Sequence, residues 1–503
     1  MVAAPASRFS RDLPNAPQER QTLLLKRCFL SVLVAFTISV VATAQTLKSL
    51  THQPPNGAGI GFVLTDGTVL FQGNSLSAWY TLTPDNTGSY LNGTWKKVGS
   101  LPTGYVPDAF ASAVLSDGRV VIAGGEYNNN QFALTNLCAI YDPKTSAWTA
   151  LAAPSTWSYI GDSPSVVLPN GKFLVGNKLT KQLEQLDPVT LTWSMLPATG
   201  KSDFNAEEGW TLMPDTSILT FDVKNAPNSE RYILAERKWI TAGSTIVDLH
   251  SPSPYGCLRY GPNGSLCYFP PGEVGPAILR PDGTVFATGS TPANSNTAHT
   301  AIYTPGATIT DEGSWIAGPD FPVGDEAGDS FAALLTNGNV LVEGISGRLY
   351  EFNGSVMTPG PLGFGSIFVL PTGEVIVGGS QLYTSIGTYE PAWAPTIKTF
   401  PASVTRGSTY KISGTQFNGL SQAAAFGDEY ETSTNYPLVR ITNIATGHVF
   451  YAKTHDHSTM AVATGSKLVF TNFDVSATTE TGASTLVVVA NGIPSAAVNV
   501  TVK

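Results

Sequence analysis

One short pattern constrains this chain more than any other, and it occurs seven times. An apolar run meets a turn pair, usually Asp-Gly or Asn-Gly, and a second apolar run follows. It reads "FVLTDGTVLFQGN" (62–74), "SAVLSDGRVVIAGG" (112–125), "SVVLPNGKFLVGN" (165–177), "TLMPDTSILTFDV" (211–223), "AILRPDGTVFATGS" (277–290), "AALLTNGNVLVEG" (332–344) and "IFVLPTGEVIVGGS" (367–380). Each copy predicts a β-hairpin whose two-residue turn draws its positive φ angles from Asp-Gly. The turns sit at Gly67, Gly118, Gly171, Thr216, Gly283, Gly338 and Gly373.

A second pattern lies between the hairpins. "AIYDPKTSAWTALAAP" (139–154) and "EQLDPVTLTWSMLP" (184–197) each predict a strand, an Asp-Pro turn and a strand carrying Trp148 or Trp193; Trp95, Trp239 and Trp315 hold similar places. Every unit therefore supplies four strands. A lone four-stranded sheet cannot bury both faces, but sheets stacked radially bury one another, as in a β-propeller. The tryptophans then pack between blades. The seventh unit lacks a fourth strand, and the segment after position 45 matches the missing one, so residues 46–53 are expected to close the ring. From Pro395 the repeat stops and alternating strands run to the C-terminus, which suits an immunoglobulin-like sandwich. The expected fold is all-β: a seven-bladed β-propeller over 45–394 and an Ig-like β-sandwich over 395–503.

The first 44 residues read as a signal peptide. Arg8, Arg11, Arg20, Lys26 and Arg27 precede the apolar run 28–41, and "ATA" (42–44) offers a cleavage site. The alternative is an uncleaved anchor, although the run is shorter than the ~20 residues that span a bilayer. The mature chain is then exported: secreted, periplasmic or at the cell surface, with no membrane span. Removing 1–44 takes five positive and two negative charges from a net charge of −9, leaving −12. That balance excludes a nucleic-acid footprint and a polybasic lipid-binding patch. Cys28 leaves with the signal. Cys257 and Cys267 bracket a turn-rich loop and are expected to pair in an oxidising compartment, while Cys138, on a predicted strand, is an inert buried thiol.

With their Asp-Pro and Trp strands, the hairpins resemble Kelch repeats. A secreted seven-bladed Kelch propeller followed by an Ig-like (E-set) domain resembles the galactose oxidase-like architecture. That resemblance implies oxidation of primary alcohols by a copper ion and a tyrosyl radical. The family carries a Tyr nine residues before one turn Gly and a Tyr-His pair ten and nine before another. A His from the C-terminal domain completes its site. Here Asp162 stands at the first place and Gly363-Phe364 at the second. Both tyrosyl ligands and an imidazole are missing, which speaks against copper and against a copper-radical oxidase.

What stands at those positions instead is acidic. Counting nine back from each turn reaches Ala58, Ala109, Asp162, Glu207, Val274, Asp329 and Phe364, with Asp108 and Glu273 one residue earlier. If the register holds, Asp108, Asp162, Glu207, Glu273 and Asp329 rim one mouth of the channel. Such an oxygen-rich site suits Ca²⁺ or a basic or polyhydroxylated ligand. A second candidate is "HVFYAKTHDHSTM" (448–460), where His455 and His457 are expected on one side of a strand and could begin a metal site. His448 or His455 could also approach the channel.

Three functions follow. The first is an exported, monomeric binding or scaffold protein that recognises an extracellular polysaccharide or a surface protein at the channel mouth. The second is an enzyme in the same pocket, either a galactose oxidase-like oxidoreductase with a non-standard site or a carbohydrate-active hydrolase or lyase built on Asp162, Glu207 and Asp329. The third is a structural surface protein.

Overall fold

All seven turns use one hydrogen-bonding scheme. In the computed structural model, which describes residues 45–503, the amide of Gly67 donates to the carbonyl of Leu64 and Leu64 donates to Thr68. The same two bonds recur at Gly118, Gly171, Thr216, Gly283, Gly338 and Gly373. Only the last loop residue has positive φ, 76° at Gly67 and 85° at Gly118, whereas Asp66 and Asp117 do not. The expectation of a two-residue turn is thus corrected to a three-residue loop closed by a left-handed glycine. The Asp acts through its side chain instead: Asp66 Oδ1 accepts the amide of Thr68 at 3.0 Å, and Asp117 Oδ1 that of Arg119 at 3.0 Å.

The fourth turn breaks the pattern at one residue. Thr216, a β-branched residue, holds φ 72°, which costs about 1–2 kcal/mol relative to glycine. Thr216→Gly is expected to raise stability by about 1 kcal/mol in urea unfolding. An unchanged or lower midpoint would show that the threonine side chain stabilises the turn.

These hairpins begin seven antiparallel sheets of four strands, the sixth gaining a fifth. Their first strands are Gly61–Val63, Ala111–Val114, Ser165–Val167, Thr211–Leu212, Ala277–Leu279, Ala332–Leu334 and Ile367–Val369. Strand burial explains the order: first strands are buried, whereas fourth strands such as Thr94–Lys97 are largely exposed. The last sheet takes its fourth strand from the start of the described chain. Thr46–Ser49 pairs with Gln381–Thr384, Leu47 opposite Tyr383.

Neighbouring sheets share apolar cores, and the seventh meets the first where Phe368 lies 5.8 Å from Phe71, so the sheets form a closed ring of neighbours. Tryptophans join the sheets. Trp79 of the first sheet stands 4.7 Å from Trp148 of the second. The Trp193 indole donates to the Ala152 carbonyl of the preceding sheet, and Trp315 does so to Ala242.

Residues 396–502 build a separate nine-stranded sheet around its own core, which includes Val404, Ile412, Val439, Phe473 and Val500. One of its connections leaves this sheet. Ala424–Ala425 pairs antiparallel with Ala332–Ala333 and becomes the fifth strand of the sixth sheet. Around it, Gln422 Oε1 accepts the Leu212 amide at 2.7 Å, and Ser112 Oγ donates to the Glu431 carbonyl at 3.3 Å. The Tyr436 hydroxyl bonds the Val63 carbonyl. A segment touching the first strands of four sheets runs through the middle of the ring. The expected signal peptide and Cys28 lie outside the described residues. Among those residues, no helix is long and apolar enough to cross a membrane.

Candidate functional site

Where the first strands start, the ring opens into a cavity of about 300 Å³. Asp108, Asp162, Glu207, Glu273 and Asp329 all line it. Counting back from the turns brings these five together because each hairpin arm between turn and strand start has similar length, so equal counts end at equal height. The remaining counted positions separate. Ala109 lines the cavity, whereas half-buried Ala58, buried Val274 and exposed Phe364 do not. Backbone geometry marks the same places. Ala109, Glu207 and Asp329 hold φ of 51°, 57° and 50°, a conformation costly for side-chain-bearing residues and common where a site dictates orientation.

Three further carboxylates and a lysine join them. Glu126 follows Gly124-Gly125, the pair that closes the second hairpin. Gly124 has φ 79°, and a Cβ there would meet the Gly161 carbonyl at 2.3 Å, so only glycine lets the chain turn back to the mouth. Asp428 and Glu429 come from the central segment. Its backbone is pressed against the fourth sheet's entry: a Cβ on Gly209 would sit 2.5 Å from the Gly427 oxygen. Phe426 packs 4.6 Å from Phe331, and Tyr430 packs 5.1 Å from Phe110. The Tyr430 hydroxyl donates to Asp108 Oδ1 at 2.6 Å and accepts the Ala109 amide at 2.7 Å.

Lys178 is fully buried. Its ammonium bonds Asp162 Oδ2 and lies 2.6 Å from Glu207 Oε1 and 3.9 Å from Glu126 Oε1. Burial alone would lower its pKa, but the Asp162 and Glu207 charges hold it well above the usual lysine range. Tyr268 adds a hydroxyl to Glu207 Oε1 at 3.2 Å.

Eight carboxylates thus face one ammonium. Desolvation is the largest influence on each of those that follow. At Asp162 and Glu207 it outweighs the lowering by the Lys178 ammonium, and at Asp329, Glu126 and Glu273 neighbouring carboxylates add to it. Asp162, Glu207 and Asp329 rise to about 7, Glu126 to about 9 and Glu273 to about 11. Glu429 is raised well above the carboxylate range by burial and by Asp428. Near neutral pH the cavity mixes ionised acceptors with protonated carboxyl donors, which suits hydroxyl-rich ligands, cations and proton transfer. Its rim is aromatic: Tyr127 is 37% and Tyr255 60% exposed. Leu258 opens the hairpin clamped by the Cys257–Cys267 disulfide, and Tyr255 stands two residues before that disulfide.

No histidine or cysteine lines the cavity, so its oxygen donors do not match the imidazole-rich set that copper prefers. Cys138 is buried, its thiol pushed up to about 12 by burial. The histidines lie elsewhere. His448 bonds Asn86 and Glu480, and His455 bonds Asp456 and Asp474. The expectation that His455 and His457 share one side of a strand is corrected: the strand Val449–His455 ends there, and Asp456, at φ 51°, turns the chain. His457 is buried, bonded to Thr471 at 2.8 Å, and burial lowers it to about 3. What reaches the channel from the C-terminal region is Ala424–Glu431, with carboxylates in place of imidazoles.

Sequence reasoning missed Glu126, Lys178, Asp428 and Glu429. "FGDEYET" (426–432), an acidic run in a strand-rich region, was a visible signal for the last two. A second buried lysine, Lys201, is held by Glu208 at 2.8 Å, Glu230 at 3.1 Å and Asp203 at 3.4 Å, outside the cavity.

No protein-family profile and no curated relative matches the sequence. Among solved structures, the chain is similar to a fungal alcohol oxidase of the AA5 family in complex with copper, at 14% identity and TM-score 0.47, covering 91% of this chain and 98% of that one. It is also similar to virginiamycin B lyase from Staphylococcus aureus, at 14% identity and TM-score 0.43, covering 68% and 99%. Likeness at this level transfers neither an activity nor a site residue.

Proposed function

We propose that the chain is an exported glycan-binding protein. In this reading residues 1–44 are a cleaved signal peptide. Residues 45–394 form a seven-bladed Kelch-type β-propeller and residues 395–503 an Ig-like (E-set) domain that sends one segment into the channel. The single observation that carries it is the cavity itself: charged and neutral carboxyls inside, exposed tyrosines at the rim. Sugars offer hydroxyls to both carboxyl forms and apolar C–H faces to aromatic rings.

The test is a glycan array with purified 45–503, followed by calorimetry on the hits. Tyr255→Ala and Asp329→Asn are each expected to weaken binding at least about tenfold, about 1.4 kcal/mol. An array without hits, or variants that bind as tightly as the parent, would remove this reading.

A carbohydrate-active enzyme is the second reading, favoured by carboxyls titrating near 7 at Asp162, Glu207 and Asp329. Release of reducing or unsaturated ends from a bound glycan would establish it. Bound copper with alcohol-dependent peroxide formation would instead support the oxidase.

A further inference from the structure

Lys178 does not saturate the carboxylates around it. Its ammonium takes one oxygen of Asp162 and one of Glu207. Asp162 Oδ1 and Asp428 Oδ1 are left with no hydrogen-bond partner, although their residues are only 3% and 4% exposed. A buried carboxylate oxygen without a partner forfeits its hydration with nothing in return, so such atoms mark a missing ligand. The two residues that carry these orphans belong to one group. Ligand oxygens of Asp162, Asp428 and Glu429 all lie within 4.8 Å of one another, and Asp428 forms a second such group with Glu207 and Glu273.

We infer that Asp162, Asp428 and Glu429 bind a hard divalent cation of the calcium class, which ties the central segment to the wall of the ring. The donor set is all oxygen, which suits Ca²⁺ and not the softer metals that select imidazole or thiolate. Size is compatible: two oxygens up to 4.8 Å apart can both lie within the 2.3–2.6 Å typical of Ca²⁺, and the third needs a side-chain adjustment of no more than a few tenths of an ångström. The cation also has a mechanical consequence. Asp162 stands three residues before the first strand of the third sheet, Ser165–Val167, while Asp428 and Glu429 arrive from a segment more than 260 positions later in the chain. An ion between them cross-links the two parts of the fold, and its removal loosens the cavity floor. This inference deepens the ligand-pocket reading and rests on the same cavity, but it is tested with no glycan present, so either can fail alone.

The experiment is calorimetric titration of chelator-treated 45–503 with CaCl₂, paralleled by thermal melts. One Ca²⁺ per chain and a rise of about 5 °C at saturating Ca²⁺ are expected. Asp428→Asn and Glu429→Gln, near-isosteric changes, should abolish the shift, while Asp282→Asn, on an exposed turn, should retain it. Absence of a stoichiometric Ca²⁺ heat in the parent overturns the inference whatever the variants do. So does a shift that survives in a folded Asp428→Asn variant. If both cavity variants fail to fold, terbium luminescence of the parent decides: emission displaced by Ca²⁺ supports the site, and none overturns it.

Discussion

Lys178→Met is expected to destabilise the chain by about 3–5 kcal/mol, or to prevent folding at 37 °C. Removing one partner of a buried ion pair leaves the other charge desolvated and uncompensated, and that penalty exceeds what the pair contributes on balance. At Lys178 the penalty is multiplied, because the ammonium contacts Asp162, Glu207 and Glu126 together. Methionine fills a similar volume, so packing loss is a minor part of the effect. The cycle that isolates the charge is Lys178→Met with Asp162→Asn and Glu207→Gln. With the acids neutral, the buried site no longer holds unpaired charge, and most of the lost stability should return. Urea unfolding of the single and triple variants measures this. A mild single variant, or a triple variant no better than the single, would show that the lysine is not what holds the acids.

Stability of the metal-free protein should fall as pH rises from about 6 to about 8.5. The sign follows from proton counting. A carboxyl raised in the folded state holds its proton there while the unfolded chain has already released it. Its contribution is complete below about pH 4 and is lost as pH rises through the folded value. That value is about 7 for Asp162, Glu207 and Asp329, about 9 for Glu126 and about 11 for Glu273. A single carboxyl moved from near 4 to near 7 corresponds to something on the order of 4 kcal/mol. His457 acts in the opposite direction: buried neutral, with its pKa lowered to about 3, it costs stability as pH falls below about 6.5. Five acids outweigh one imidazole below pH 6 as well as above it, so the imidazole only reduces the gain on acidification. The maximum is therefore expected between about pH 4 and 5, with Tm lower by about 5 °C at pH 8.5 than at pH 6. Melts across this range in chelator measure it. A curve that is flat or rises toward pH 8.5 would mean that the cavity acids stay ionised and hydrated.

Glu126, Lys178 and the 426–432 segment show where reading residues in order stops working. Glu126 reaches the cavity only because Gly124 and Gly125 fold the chain back after the hairpin ends. Lys178 lies in the turn just after an otherwise ordinary second hairpin strand, Phe173–Gly176, and nothing local distinguishes it from a surface lysine. Asp428 and Glu429 reach the cavity through a connection that leaves its own sheet to pair with Ala332–Ala333. Asp108, Asp162, Glu207, Glu273 and Asp329 were legible because each lies a fixed number of residues from a turn that announces itself. The histidines at 448, 455 and 457 misled because pairing and chain reversal, not spacing, decide where a side chain ends.

From residue order alone came what local chemistry governs: seven hairpins, their turn positions, the outer tryptophan strands, a closing segment within 46–53, of which Thr46–Ser49 forms the strand, and the height of five acids above their turns. Turn preference and strand period act over a few residues, so the order of residues is enough to read them. Tertiary structure alone decided that one C-terminal segment enters the ring, that one lysine meets three acids and that two carboxylate oxygens remain unpartnered. Those are contacts between residues tens to hundreds apart, and burial, which sets their charge and chemistry, exists only once the sheets have closed around them.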